Sequence, residues 1–242
     1  MSKKTSTQDL NIISNDMKNI SKSSPFTPKK IFNQKLTNFK AFTFNAGFKK
    51  KNNDLLIIIF NKLTNVQCAY SASSTPSAPI IWDKKHNKGK CKVLIINSGN
   101  ANAHTGNQGL RLIDAYVKEV IKKVKCKKNQ ILVSSTGVIG EIFNPRMIIN
   151  SFNKIPKCKT VDLLNASKAI MTTDTYPKTA KTTITIKNKK INIYGFAKGS
   201  GMIHPNMGTM LAYIFIECNL NNIDLKKLLK NNLEKTFNSI SV

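Results

Sequence analysis

Residues 195–217, GFAKGSGMIHPNMGTMLAYIFIE, decide how the rest of the chain is interpreted. A glycine-rich loop carrying Lys198 leads through Thr209 into the apolar residues Met210 to Ile216, a pattern that predicts a buried strand. Thr209 can be a β-branched residue that opens this strand. It can also be a nucleophile formed by cutting the chain before it, because a freed α-amine with a pKa of about 8 can act as base for the adjacent hydroxyl. Spacing alone favours the first interpretation.

Four long segments carry a further signal. They are residues 97–110 (NSGNANAHTGNQGL), 134–141 (SSTGVIGE), 169–178 (AIMTTDTYPK) and 198–211 (KGSGMIHPNMGTML). In this order they resemble the ornithine acetyltransferase family, also called glutamate N-acetyltransferase, and the last is similar to the segment at which family members cleave themselves. The resemblance implies a layered α/β fold and a role in arginine biosynthesis.

The catalytic groups follow from the same resemblance. It implies that Thr209 is the nucleophile, that cleavage separates Gly208 from Thr209, and that Thr136 and Gly137 form the oxyanion hole. A hydroxyl beside a closely approaching glycine N–H can supply two donors to a tetrahedral oxygen, each worth about two orders of magnitude in rate. Taken without the resemblance, residues 134–141 are a polar loop.

Substrate contacts are implied for two more segments. Thr172 is the expected substrate-binding threonine, with Thr173 as the alternative, and the ammonium of Lys198 is expected to face a substrate carboxylate beside Thr209. Judged from residue types alone, the TTDT segment is equally a capping cluster at a helix end. Lysines are also common on solvated surfaces, so only the motif singles out Lys198.

The implied chemistry is a double displacement. The Thr209 hydroxyl attacks the Gly208 carbonyl, and hydrolysis of the ester frees a new N-terminus. The same hydroxyl then takes the acetyl group of N2-acetylornithine and passes it to glutamate, which predicts ping-pong kinetics. The resemblance implies no cofactor, although some family members accept acetyl-CoA as donor.

Two departures from the family pattern leave an alternative open. Gly208 stands where the family has alanine, which loosens the backbone and slows cleavage if strain drives it. The chain ends at Val242, where family members continue, so the resemblance covers roughly three fifths of a family member. The alternative is therefore an inactive truncated remnant or the non-catalytic half of a split enzyme. In the family, two chains from one precursor pair into α/β hetero-oligomers, so the missing half or a second chain is an expected partner.

Composition places the chain among soluble globular proteins. Of its 242 residues 40% are hydrophobic and 21% charged, and its longest apolar run, Leu55 to Phe60, is too short to cross a membrane. The net charge of +27 raises nucleic-acid binding as an alternative. All but two of the 39 basic residues are lysine, scattered without interleaved aromatics, which favours a solvated lysine surface.

Cysteine and histidine usage argues against a disulfide framework and a metal centre. The five cysteines are scattered with no C-x-x-C pair, which is typical of reduced thiols in a cytosol-like compartment. The three histidines show no ligand spacing. We therefore expect a cytoplasmic protein, with an organellar address as the lesser alternative because the basic N-terminal tail lacks arginine.

In chain order, three regions are expected. Residues 1–36 form a basic flexible tail, 37–208 an α/β domain, and 209–242 the start of the second chain that the resemblance implies. Strands are predicted near 55–60, 93–97, 131–134, 182–196 (a hairpin) and 210–217. Helices are predicted at 107–125, 146–152, 161–171 and 222–237.

Overall fold

The computed structural model describes residues 36–199 and 210–239, which form two β-sheets with helices. The first sheet has the order β1 (Phe39–Phe44), β2 (Leu55–Asn65), β3 (Lys90–Asn100), β4 (Ile131–Val138). The second has the order β5 (Lys178–Ile186), β6 (Lys189–Lys198), β7 (Leu211–Ile216). The helices are α1 (Ala78–His86), α2 (Gly106–Val124), α3 (Arg146–Lys154), α4 (Leu163–Ile170) and α5 (Asn222–Leu233). The predicted α/β class is confirmed.

The pairing of β3 with β4 is parallel, whereas all other pairs are antiparallel. A parallel pair needs a crossover connection, and α2 supplies it. The helix presents an apolar stripe that includes Ile113, Val117 and Val120, all fully buried. This β3–α2–β4 unit brings the ends of two strands side by side, which is where the polar segments 97–100 and 134–137 lie.

Alternation along the first sheet creates two cores. Ile57 and Ile95 face the side that packs against α1, α2 and α3, while their neighbours Leu56 and Ile96 face the opposite side. On that second side lie α4 and the aromatic side chains of the second sheet, with the Phe39 and Phe215 rings 4.6 Å apart. The layers are therefore helices, a sheet, and then α4 with the second sheet.

Several strands extend further than predicted. β3 and β4 continue through residues 97–100 and 134–138, because the backbones of these polar segments remain paired, with an irregularity of register at Gly99 and Asn100. The segment 134–137 is therefore strand and not loop. The hairpin turn is shortened to Lys187 and Asn188, both with positive φ, which matches the right-handed twist of β5 and β6.

Helix limits also differ from the predictions. α4 starts at Leu163 because the Val161 N–H bonds the Ala41 carbonyl, and the Asp162 side chain caps the helix. α5 ends at Leu233, four residues early. Helix α1 and strand β1 were not predicted as such.

Strand β7 is only half-buried, which corrects the prediction of a buried strand. It lies at the edge of the second sheet, and the Ile214 side chain is 56% exposed. No helix within the described ranges is both long and apolar enough to span a membrane. All five cysteines are free thiols.

Candidate active site

A buried contact joins the two sheets at the candidate site. Lys198, the last residue of β6, donates from Nζ to the Thr136 Oγ1 on β4 at 3.1 Å, and the two residues are 5% and 1% exposed. Burial lowers the pKa of Lys198, an effect that the carboxylate of Asp174 opposes and the ammonium of Lys178 reinforces. Two predicted site residues from distant parts of the sequence are thus in direct contact.

Gly137 lies where backbones approach too closely for a side chain. Its φ is +133°, and a Cβ built there would lie 2.3 Å from the carbonyl carbon of Gly99. Gly99 is restricted in the same way, since its own Cβ would lie 2.8 Å from the Phe48 carbonyl oxygen. The end of β4 is therefore fixed by stacked backbone with no space for side chains at these positions.

The Asp174 carboxylate connects the TTDT segment to the end of β6. Oδ1 accepts hydrogen bonds from the Gly199 N–H at 2.8 Å and from the Lys178 ammonium at 2.6 Å. Oδ2 accepts from the Thr172 N–H at 3.2 Å. Burial works against ionisation, but these hydrogen bonds outweigh it and lower the pKa of Asp174. We call this arrangement the Asp174 brace.

A second lysine approaches the same region from the loop between β1 and β2. Lys49 donates from Nζ to the carbonyl of Met171, the residue before Thr172, at 2.6 Å. Burial lowers the pKa of Lys49; the carboxylate of Asp54 opposes this and the ammonium of Lys198 adds to it. Lys49 therefore lies close enough to Lys198 for the two charges to interact.

The loop that carries Lys49 is held by a fully buried carboxylate. Asp54 accepts hydrogen bonds from the backbone N–H groups of Ala46, Gly47 and Lys49, at 2.6, 3.2 and 2.8 Å. Its own carbonyl accepts from the Ser98 N–H. The loop is thus fastened both to β2 and to the end of β3.

Polar side chains at the ends of β3 and β4 form hydrogen bonds to each other and to neighbouring segments. Ser135 donates to the Asn97 side chain at 2.6 Å, and Ser98 donates to the Ala169 carbonyl at 2.6 Å. Asn100 donates to the Glu141 carbonyl at 3.0 Å. These hydrogen bonds connect the strand ends with α4 and with the segment after β4.

The structure brings some of the predicted residues together and leaves others aside. Thr136 and Lys198 are in contact, Gly137 follows Thr136, and the Asp174 brace links Thr172 to Gly199. Thr172 is half-buried whereas Thr173 is exposed. Gly208 and Thr209 lie outside the described residues; Leu211, two residues after Thr209, pairs with Lys198.

Sequence reasoning assigned no role to Lys49 or Asp54, and it considered Asp174 only as part of the polar TTDT segment at a helix end. Asp174 lies inside a recognised motif, and Asp54 directly precedes a buried strand. The partners of Asp54 and most partners of Asp174 are backbone N–H groups, and the partner of Lys49 is a carbonyl 122 positions away, so no spacing of side chains indicates them.

Two further features are a cavity away from this region and the distribution of possible metal ligands. A cavity of about 370 Å³ beside α3 is lined by Asn45, Ala46, Asn144, Arg146, Met147, Asn150, Ser151 and Lys154, none of which is a predicted site residue. Across residues 36–199 and 210–239, no three histidine, cysteine, aspartate or glutamate side chains are grouped as metal ligands.

Known proteins resemble the chain over most of its length. The model of the ArgJ family matches residues 40–242. The chain is 38% identical over 223 residues to the arginine biosynthesis bifunctional protein ArgJ of Bradyrhizobium diazoefficiens, covering 90% of this chain and 54% of that protein. The protein of the same name from Caldanaerobacter subterraneus is 37% identical over 206 residues, covering 81% and 49%.

Two solved structures share the fold. The crystal structure of arginine biosynthesis bifunctional protein ArgJ from Bacillus halodurans matches with a TM-score of 0.63 and 32% identity, covering 71% of this chain and 91% of that one. Ornithine acetyltransferase from Mycobacterium tuberculosis, complexed with ornithine, matches with a TM-score of 0.61 over 72% and 93%. At 24% identity, this second match supports the fold alone.

The chain spans about half the length of the curated relatives it matches, less than the three fifths expected from the resemblance. Within that span the match is continuous from β1 onward, and it includes all four segments that carried the resemblance. The chain belongs to the ArgJ family.

Proposed function

We propose that the chain cleaves itself between Gly208 and Thr209 and then transfers acetyl groups from N2-acetylornithine to glutamate, giving ornithine and N-acetylglutamate for arginine biosynthesis. The observation that carries the proposal is the buried contact between Lys198 and Thr136. It joins two motif residues, 62 positions apart, at the strand end from which the chain continues toward Thr209. Family membership supplies the reaction class.

Thr136 and Gly137 are proposed as the oxyanion hole. The Thr136 oxygen accepts a hydrogen bond from the Lys198 ammonium, which leaves the hydroxyl hydrogen to be donated to another acceptor. A hydroxyl that accepts from a cation is polarised and is a stronger donor. The fixed backbone at Gly137 gives the second donor, its N–H, a constant direction.

Lysines are the groups proposed to bind the amino-acid substrates. Lys49, Lys178 and Lys198 approach the region, against the carboxylates of Asp54 and Asp174. Formal charges thus leave a cationic surplus, which attracts the carboxylate of N2-acetylornithine or glutamate. Thr172, whose backbone is fixed by the Asp174 brace, supplies a hydroxyl at the same place.

The nucleophile is assigned to Thr209. Thr209 is two positions before Leu211, the partner of Lys198 in β7, so the chain spans at most about 8 Å between their Cα atoms. Attack of its hydroxyl on the Gly208 carbonyl transfers the acyl group from nitrogen to oxygen and frees the α-amine; water then hydrolyses the ester, which releases the Gly208 carboxylate and restores the Thr209 hydroxyl. That amine takes the hydroxyl proton when Thr209 attacks the acetyl carbonyl.

Two displacements complete the cycle. Ornithine leaves with a proton on its amine, and the acetyl group remains as an ester on Thr209. The amine of glutamate attacks that ester, N-acetylglutamate leaves, and the hydroxyl is restored. Each tetrahedral intermediate places its oxygen toward Thr136 and Gly137. No cofactor takes part, and acetyl-CoA is a possible alternative donor of the acetyl group.

A second polypeptide is proposed as partner. Strand β7 is half-exposed, and α5 has no buried residue, with Ile223 79% and Leu228 46% exposed. Apolar surface of this kind is typical of an interface. Because the chain spans about half of its relatives, we propose that the other half, as a separate chain, covers this surface in an α/β hetero-oligomer. The same observations favour the alternative of a non-catalytic half of a split enzyme.

An assay of acetyl transfer from N2-acetylornithine to isotope-labelled glutamate tests the activity on the purified chain. We expect transfer by the wild type and none by Thr209→Ala. Thr136→Val removes the hydroxyl at constant shape and should lower the rate by about two orders of magnitude. Lys198→Met should raise the KM for glutamate by ten- to a hundredfold, on the order of one lost charge-assisted hydrogen bond.

The matched control is Lys190→Met, an exposed lysine on the same strand as Lys198, which should leave transfer unchanged. Absence of transfer by the wild type would favour the non-catalytic alternative. Acetyl-CoA in place of N2-acetylornithine, in the same assay, decides whether it serves as donor.

A further inference from the structure

Asp174 occupies a central position between the two segments proposed to bind substrate. Its carboxylate is nearly solvent-free, with the side chain 1% exposed, and it accepts from Thr172, Lys178 and Gly199. Thr172 follows α4 and Gly199 follows β6, so a single side chain links the ends of two elements. Hydrogen bonds from three donors to one ionised group hold those ends in a fixed relation.

The neighbours of Lys198 show why the charge matters as well as the geometry. Its ammonium donates to the hydroxyl of Thr136, and it lies within electrostatic range of the carboxylate of Asp174 and of the ammonium groups of Lys178 and Lys49. Asp174 stabilises the charged form of Lys198, and Lys178 destabilises it. The protonation of a buried lysine thus depends on the balance between these neighbours.

We propose that Asp174 is a positioning residue for substrate binding, which fixes the Thr172 and Gly199 backbones and favours the charged form of Lys198. The inference rests on the proposed function for the substrate contacts of Thr172 and Lys198. Asp174 itself has its oxygens occupied by protein donors, so it acts through these two residues and does not touch the substrate.

A pH titration of Lys198 tests the electrostatic part without any need for activity. Heteronuclear NMR of the lysine Cε–Hε groups in the full chain follows the titration, and Lys198→Met identifies the signal. Asp174→Asn keeps the shape but removes the charge, so the Lys198 pKa should fall. Lys178→Met removes a like charge, so the Lys198 pKa should rise.

Shifts of the Lys198 pKa in opposite directions in these two variants distinguish an effect of charge from a loss of structure. Loosening of the site would shift the Lys198 pKa in the same direction in both variants. Asp83→Asn is the matched control: it makes the same substitution at another buried aspartate that accepts a backbone N–H, on the α1 side of the first sheet, and should leave Lys198 unchanged. An unchanged Lys198 titration in Asp174→Asn overturns the proposal, as do shifts of equal sign. If Asp174→Asn does not fold, an unchanged or lowered Lys198 pKa in Lys178→Met overturns the balance of charges on which the proposal rests.

The transfer assay adds a kinetic readout. Asp174→Asn should raise the KM for glutamate about tenfold, and more steeply as pH rises, with a smaller change in kcat. A loss of kcat of about tenfold, with the KM for glutamate unchanged, would contradict a role in substrate binding. If the wild type transfers no acetyl groups, the proposed function fails, while the Lys198 titration still decides the role of Asp174.

Discussion

Gly137 shows how a single residue type fixes the candidate oxyanion hole. Its backbone combines a positive φ with contact against Gly99, so alanine there is both strained and overpacked. Gly140 has a comparable φ of +87° but no atom within 4 Å of the position of a Cβ. The two glycines therefore separate backbone strain from steric exclusion.

We predict that Gly137→Ala lowers the free energy of unfolding by about 2–4 kcal/mol, the sum of conformational strain and overpacking. Gly140→Ala, which adds only the strain, should cost about 1 kcal/mol. Urea unfolding followed by circular dichroism measures both. Equal losses in the two variants would show that contact with Gly99 is not what requires glycine.

The Asp174 carboxylate makes stability depend on acid pH. Its pKa is lower in the folded chain than in the unfolded one, so its contribution is present above the unfolded value of about 4 and is lost as pH falls through the folded value. We predict that Asp174→Asn is less stable than the wild type at pH 7 and that the difference shrinks on acidification. Thermal unfolding at a series of pH values checks this, and a difference that grows in acid would contradict it.

At residue scale, the motifs singled out four candidate residues, and the structure adds the contacts that hold them. The four are Thr136, Gly137, Thr172 and Lys198. The contact between Lys198 and Thr136 depends on β6 meeting β4 across two sheets, which no local pattern encodes. Asp174 could be found in its motif, but its partners include two backbone N–H groups, which are the same in every sequence.

At the scale of elements, helix α1 protects the free edge of the first sheet. β4 pairs with β3 on one side only, and on the other side the Val133 N–H donates to Asp83 Oδ1 on α1 at 3.1 Å. An unpaired strand edge invites association, so covering it with a helix is a known means of protection. Burial raises the pKa of Asp83 to about 8, despite the hydrogen bond from Val133.

This raised pKa predicts a pH dependence of opposite sign to that of Asp174. Between the ordinary value of 3.8 and about 8, the folded chain holds a proton that the unfolded chain has lost, so stability falls as pH rises. Asp83→Asn should remove this fall, and the variant should gain relative to the wild type from pH 5 to pH 8. Chemical unfolding at both pH values measures the change; a constant difference would contradict it.

Elements with clear periodicity were predictable, and those shaped by tertiary context were not. α2 has a continuous apolar stripe, so its limits were found to within a residue. α1 buries the ionisable side chain of Asp83 beside Trp82 and has no segregated face, so its sequence does not indicate a helix. The polar ends of β3 and β4 are strands because their backbones pair with each other. Neither segment alone indicates this pairing.

At the scale of the whole molecule, the order of the layers depends on which elements pack on each face of the first sheet. The residue pattern does not indicate this; only the family resemblance implies a layered fold. Alternation along the first sheet predicts two faces, but not that α4 and a second sheet cover one of them. The exposure of apolar residues on β7 and α5 also depends on the whole molecule, because no element within residues 36–199 and 210–239 covers them. The net charge of +27 comes almost entirely from lysines scattered along the sequence.

Intact-mass spectrometry of the purified chain, with and without N2-acetylornithine, tests most directly whether Thr209 becomes a nucleophile. We predict two fragments that divide between Gly208 and Thr209, with the fragment beginning at Thr209 heavier by one acetyl group after incubation. Thr209→Ala should remain whole and unmodified, and Lys190→Met should behave as the wild type does. A single uncut mass for the wild-type chain would contradict self-cleavage and the acetyl transfer that depends on it.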